Sequence, residues 1–182
     1  MPFELLKSET VLEARAFKIR RDTLKTPDGR ETKYDIVEHI GSVVILPVDA
    51  QGNLFFVRQY RHAAGFDMLE LPAGTLNKGE PYEECALREI REETGMAAGK
   101  MEKIGDFYLA PGYSTELMAV YFATDLKDDP LEADEDEFLK LEKIPVKKAI
   151  EMAERGELPD AKSLAALFMA RAYLEKYTEC EG

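Results

Sequence analysis

The sequence predicts an α+β domain in which a mixed β-sheet is flanked by helices, and three observations predict it. Short segments of strand length either alternate apolar and polar residues or run together β-branched and aromatic ones. One acidic segment and two C-terminal segments instead repeat their apolar residues at i, i+3 and i+4. The order along the chain is strands, helix, strands, helices, with no internal repeat and no low-complexity linker. With 182 residues, 45% hydrophobic and 33% charged, the chain has material for one domain with a sizeable core.

Taken in order, residues 17–39 form two alternating runs joined at Pro27-Asp28-Gly29, which marks a polar, half-exposed hairpin. SVVILPVD and NLFFVRQYR, separated by AQG, are apolar enough for the buried centre of a sheet. FDMLELPAG follows as a shorter strand ending in a glycine loop. KMEKIGDFYLA and LMAVYFATDL read as further strands around the loop PGYSTE, and FLKLEKI as a last short strand after the acidic run EADEDE. Two amphipathic helices close the chain, one from about Pro145 to Arg155 and one from about Ala161 to Tyr177.

Charge narrows the function classes. A formal net charge of -12 and a pI near 4.7 repel nucleic acid on average, so a phosphate-bearing substrate needs an intervening cation. The first residues, MPFELLKSETVLEARAFKIRR, hold no apolar leader core, and no stretch is long and apolar enough to span a bilayer. The expectation is a soluble, cytoplasmic protein with neither nucleic-acid nor membrane partners. Cys85 and Cys180 form neither a disulfide framework nor a paired metal motif and read as reduced thiols. His39 and His62 lack the spacing of zinc or triad partners and read as structural, and no P-loop or Ser/His/Asp set is present.

The segment GTLNKGEPYEECALREIREETGM, Gly74 to Met96, carries the chemistry. Pro81 suits the first turn of a helix, Glu83 and Glu84 suit the positive end of its dipole, and Gly95 suits a left-handed stop, so the helix runs over about 81–94. Ala86, Leu87, Ile90 and Thr94 form the stripe expected to dock on the sheet. Glu89, Glu92 and Glu93, at i, i+3 and i+4, are expected to converge on another face. Two readings of that acidic face stand side by side: a solvated helix laced by salt bridges, or a site for a hard divalent cation such as Mg²⁺, which takes oxygen ligands and bridges carboxylates to phosphates.

The wider spacing favours the second. Gly74, Glu80, Arg88-Glu89-Ile90, Glu92-Glu93 and Gly95-Met96 match the Nudix box at every specified position. The chain resembles a Nudix hydrolase, and the resemblance implies a Nudix-type α/β/α sandwich with an N-terminal β-hairpin ribbon. It further implies cleavage of a nucleoside diphosphate linked to another group, with Mg²⁺ or Mn²⁺ as cofactor. By position Glu89, Glu92 and Glu93 would hold metal, Arg88 would orient a glutamate, Gly74 would allow close approach of the loop, and Glu80 would be an auxiliary acid.

LELPAG before the box, YLAPGYSTE after it with Pro111 lying 15 residues past Met96, and VRQYR resemble the ADP-ribose pyrophosphatase branch over about residues 10–175. That resemblance implies a metal ligand in the carbonyl of Ala73, a diphosphate contact at Arg61, and further substrate contacts at Tyr34, Asp35 and Glu116. Arg61 also reads as a surface arginine at a strand end, and Phe17 and Tyr34 equally as hairpin packing. A homodimer is implied in which the N-terminal ribbon, residues 1–40, is exchanged and reaches substrate, with residues 41–182 as the hydrolase domain. The water-activating carboxylate is expected at Glu137, with Glu135 as the runner-up. GDP-mannose or another nucleoside diphosphate sugar remains an alternative substrate, and a catalytically idle ADP-ribose sensor an alternative function.

Overall fold

The computed structural model describes residues 2–14, 17–132 and 138–178. The chain divides into two compact units, Met1–Gly41 with Phe107–Met118, and Ser42–Asp106 with Ala119–Gly182.

The first unit is built on β1 (Glu4–Glu13), β2 (Lys18–Lys25) and β3 (Glu31–Glu38), an antiparallel sheet in that order. The expected hairpin is β2–β3: Gly29 has φ 89°, and the Gly29 N–H donates to the Thr26 carbonyl (2.9 Å) while the Thr26 N–H takes the Arg30 carbonyl (2.7 Å). Strand β1 is an addition to the predicted two-stranded ribbon. Its apolar residues come as pairs, Leu5-Leu6 and Val11-Leu12, and so do not alternate. The pairing with β2 shifts register between Leu5 and Lys7 and again between Thr10 and Leu12, and each irregularity interrupts the period-two signal.

In the second unit, β4 (Ser42–Pro47), β5 (Asn53–Arg61), β6 (Phe66–Glu70) and β7 (Ala73–Thr75) lead into α1 (Tyr82–Thr94). Two long strands follow, β8 (Met96–Tyr108) and β9 (Leu117–Asp128), then β10 (Lys140–Pro145) and the helices α2 (Val146–Glu154), α3 (Ala161–Met169) and α4 (Arg171–Thr178). The strands form one sheet of order β10-β5-β6 and another of order β7-β4-β9-β8. The turn between β4 and β5 is closed by Asp49, whose Oδ1 accepts the N–H groups of Gln51 (3.0 Å) and Asn53 (2.8 Å).

Alternation along β4 and β9 explains why helices lie on both faces. Val43, Ile45, Ala119, Tyr121 and Ala123 join Leu76 and the Cys85, Ala86 and Ile90 side chains of α1 in one buried cluster. Val44 and Leu46, also fully buried, point the other way by the pleat, and β4 contacts α3. On β9 the opposite-facing Phe122 packs against Tyr173 of α4, ring centroids 5.4 Å apart. Each large side chain buried in this way contributes roughly 1.5–3 kcal/mol.

Three boundaries differ from the sequence reading. The α1 helix begins at Tyr82 with Pro81 as its N-cap residue. Strand β8 begins at Met96, directly after the helix stop. The predicted helix 161–177 breaks at Ala170, where ψ is 0°. Ala166, Ala170 and Leu174 are buried at i, i+4 spacing straight through the break, so periodicity gives no sign of it.

Candidate active site

Helix α1 presents the box. Its C-terminus is as expected: Gly95 takes φ 73° and its N–H donates to the Arg91 carbonyl (3.1 Å). The buried stripe is different from the prediction. Leu87 is 38% exposed, whereas Glu89 and Glu93 are buried together with Cys85, Ala86, Ile90 and Thr94. The inward face therefore steps by four, and two glutamates sit beside the apolar residues instead of on a separate solvated face. Charges so buried require partners, because desolvation of each costs several kcal/mol.

Arg88 supplies much of that partnership. Its Nε and Nη2 donate to the two carboxylate oxygens of Glu80 (2.9 and 3.0 Å). Nη1 donates to Glu89 Oε1 and to Glu92 Oε2 (2.7 Å each), and Nη2 also reaches the Thr75 carbonyl (3.3 Å) and Cys85 Sγ (3.4 Å). One guanidinium thus ties the helix to the loop before it. These pairings, Glu80 first, raise the Arg88 pKa.

In return Arg88, outweighing partial burial and aided by the Asn77 N–H, holds the Glu80 carboxyl down at about 2 from its ordinary 4.5. A depressed carboxylate stabilises the fold above its unfolded pKa, and that contribution disappears as pH falls from 4.5 toward 2. The stability gap between wild type and Glu80→Gln is expected to narrow across this window. Urea unfolding of both proteins at a series of acidic pH values checks it, and a gap independent of pH would remove Glu80 as an ionised anchor.

The remaining glutamate faces the loop. The Ala73 N–H donates to Glu93 Oε2 (3.0 Å), and Ala73 and Gly74 belong to β7, paired with Val44 and Val43 of β4. The same loop passes so near Glu89 that a Cβ on Gly74 would lie 1.9 Å from the Glu89 Cδ and Oε1 atoms. Only glycine leaves that space, which is the physical content of the glycine that opens the box.

The expected convergence of three carboxylates is not the arrangement seen. Among the described residues no group of three or more His, Cys, Asp or Glu side chains is placed to hold an ion. The cause is local: Arg88 stands between Glu89 and Glu92, and Glu93 accepts the Ala73 N–H. The donor set itself, three carboxylates beside a backbone cradle at Ala73-Gly74, fits a hard divalent cation in chemistry, being all oxygen.

Arg61, expected to meet the diphosphate, makes a bidentate pair with Glu70 (Nε–Oε1 and Nη2–Oε2, 2.7 Å each). Lys162 of α3 binds the same carboxylate and also Asp160 (3.0 Å). In the first unit Asp35 pairs with Arg21 (2.6 and 2.8 Å), and Tyr34, 42% exposed, meets Phe3 edge-on at 6.3 Å. Glu116 is half-buried there, with its N–H on Ser114 Oγ (3.2 Å). Glu137 and Glu135 lie outside the described residues.

Sequence reasoning passed over Glu70, Lys162 and Ser163. A glutamate inside the otherwise apolar LELPAG was the available signal, since a charge in a central strand needs a partner, and Asp160 before an apolar helix marks an N-cap.

Cys85 is a buried free thiol, pushed up to about 12 by burial and by the nearby Glu89 charge. A Cys180→Ser variant is accordingly expected to resist a thiol reagent at pH 8 when native and to react on denaturation. Labelling at equal rates in both states would contradict the burial.

Strands, helices and box together are those of a hydrolase. The family model for the NUDIX domain matches residues 38–167, and the chain belongs to that family. It is 35% identical over 164 residues to the ADP-ribose pyrophosphatase of Bacillus subtilis (strain 168), covering 89% of each chain. It is 36% identical over 173 residues to the ADP-ribose pyrophosphatase of Mycobacterium tuberculosis (strain ATCC 25618 / H37Rv), covering 93% of this chain and 84% of the relative. A crystal structure of an ADP compounds hydrolase superposes with a TM-score of 0.85 at 27% identity, covering 97% of this chain and 96% of that one. No helix among the described residues is long and apolar enough to cross a membrane.

Proposed function

We propose that the protein hydrolyses the diphosphate bond of ADP-ribose, releasing AMP and ribose 5-phosphate, in the cytoplasm. The observation that carries the reading is the complete box with Arg88 braced between Glu80, Glu89 and Glu92, in a chain whose relatives bear the name ADP-ribose pyrophosphatase. An idle sensor has no use for buried carboxylates such as those of Glu89 and Glu93, each of which costs desolvation energy.

Mg²⁺, with Mn²⁺ able to replace it, would be held by Glu89, Glu92, Glu93 and the Ala73 carbonyl, and when bound would neutralise charge on the diphosphate. The rest falls to the chain. Arg88 keeps Glu89 and Glu92 oriented, Glu93 is steadied by the Ala73 N–H, and Arg61 meets the diphosphate as a planar donor suited to phosphate oxygens. Tyr34, Asp35 and Glu116 serve the nucleoside and sugar. Glu137, or failing it Glu135, positions or deprotonates the attacking water, since the box carboxylates are otherwise engaged. Comparing kcat of Glu137→Gln and Glu135→Gln assigns that role to one of them.

A panel of ADP-ribose, GDP-mannose, FAD and dinucleoside polyphosphates with Mg²⁺, scored for nucleoside monophosphate release, tests the substrate. AMP released fastest from ADP-ribose is expected. Preference for GDP-mannose would move the reading to the nucleotide-sugar alternative, and tight binding of ADP-ribose without any release would make the protein a sensor.

The N-terminal sheet we assign to exchange between two copies. Strand β1 is an edge strand with every residue exposed, including Leu5 (59%), Val11 (52%) and Leu12 (51%), more apolar surface than a solvated edge carries by default. Sedimentation at micromolar concentration is expected to give a dimer, and a fully active monomer would refute the exchange.

A further inference from the structure

We propose that Lys162 is a positioning residue for the diphosphate: it clamps the buried Glu70 carboxylate from α3 and, through Glu70, holds the Arg61 guanidinium in place. The proposal rests on the reading above in which Arg61 meets the diphosphate, and it adds residues that no box position accounts for.

The geometry is specific. Glu70 is 1% exposed, and its two oxygens take the Arg61 fork side-on through Nε and Nη2. That leaves Nη1 without a hydrogen-bond partner among the described residues. Lys162 sits on Oε2, the oxygen that Nη2 also uses, and is itself steadied by Asp160 at 3.0 Å. Asp160 is the N-cap of α3 and accepts the Ser163 N–H (3.0 Å), while Ser163 Oγ receives the Leu71 N–H (2.7 Å). Two adjacent residues of β6 and its exit, Glu70 and Leu71, are thus pinned by two adjacent positions of one helix start, Lys162 and Ser163, with Asp160 bracing both.

The charges balance, with two cations and two carboxylates in one cluster, so the assembly carries no net desolvated charge. Burial alone would raise the Glu70 carboxyl, but Arg61 and Lys162 outweigh it and keep it below its ordinary value, so it stays an anion able to grip Arg61. Arg61 in turn feels Glu93, three segments away in sequence but near in space. A shift of Glu70 therefore moves the free edge of Arg61 relative to a box glutamate, and only two residues separate Glu70 from Ala73. A plain core ion pair needs one cation for one carboxylate; here the second cation adds orientation, because two donors on Oε2 leave the carboxylate one setting.

The test is Lys162→Met, which keeps the stem and removes the charge, against Lys162→Arg, which keeps the charge. KM for the substrate that wild type cleaves best is expected to rise on the order of 10-fold in Lys162→Met with kcat within about two-fold, and to return most of the way in Lys162→Arg. In an Arg61→Ala background the Lys162→Met change is expected to add nothing further to KM. The Arg61 Nε–H resonance of the ligand-free protein, assigned by its loss in Arg61→Ala, is expected to move or broaden in Lys162→Met. If Lys162→Met lowers only the melting temperature, with KM, kcat and that resonance unchanged, Lys162 is structural and the proposal falls. If the resonance moves but wild type cleaves nothing in the panel, the clamp stands and the hydrolase reading is what fails.

Discussion

Glu93→Gln is expected to lower kcat by at least about 10²-fold with saturating Mg²⁺, while the protein stays folded. Glutamine keeps the shape and the carbonyl acceptor, so the Ala73 N–H that donates to Glu93 Oε2 at 3.0 Å retains its partner and the loop keeps its anchor. What is lost is a negative charge, on a residue only 7% exposed, where no water compensates. Arg61 remains paired with Glu70 in the variant, although it no longer feels the Glu93 charge. A second measurement isolates the effect on the cation: the rise in melting temperature that Mg²⁺ gives wild type should shrink in the variant. Near-normal turnover together with an undiminished Mg²⁺ shift would remove Glu93 from the metal set.

The parts of this fold that were legible from sequence are those in which one residue type meets a local physical demand. Gly95 ends α1 in the left-handed conformation, and Gly29 turns the hairpin the same way, because only glycine adopts those angles cheaply. The apolar runs of β4, β5 and β9 are buried because unbroken aliphatic and aromatic stretches gain most by leaving water. The box was legible because its residues match the family pattern at every specified position.

What was not legible depends on partners distant in sequence or on irregularity. Two register shifts in β1 hid a strand whose composition was adequate. Leu87 looked like a docking residue, yet the inward edge of α1 passes through Glu89 and Glu93, whose burial follows from the loop at Ala73-Gly74 and not from the helix period. Glu70 and Lys162 are separated by 92 positions, and neither announces the other. The role of Arg88 was half visible. Its place beside Glu92 at i+4 could be read from spacing, but its grip on Glu80, eight residues back, depends on how the loop folds.

Gly74→Ala is the change that separates folding from function most cleanly. The new methyl carbon would lie 1.9 Å from Glu89 Cδ and Oε1 and 2.4 Å from Oε2, so one of the two must move. The β7 backbone at Gly74 is held by its pairing with Val43, and its neighbour Ala73 by pairing with Val44 and by Glu93. The clashing Glu89 atoms are the far end of a flexible side chain, so the carboxylate is what gives way. Displacement breaks its 2.7 Å contact with Arg88 Nη1, but Arg88 keeps Glu80 and Glu92, which limits the damage to the fold. Alanine also restricts the unfolded chain more than glycine does, which offsets part of the loss by roughly 0.4–1 kcal/mol. The expected result is a melting temperature lowered by only a few degrees beside a fall in kcat/KM of about 10²-fold, because a misplaced ligand carboxylate loses both orientation and charge stabilisation. Gly112→Ala, where a Cβ meets nothing within 4 Å, is the control for the substitution itself and should leave both quantities near wild type. If Gly74→Ala keeps full activity, Glu89 can move without consequence and does not hold the metal; if it fails to fold, the backbone and not the side chain yields, and Glu89 rather than the loop is the rigid partner in the box.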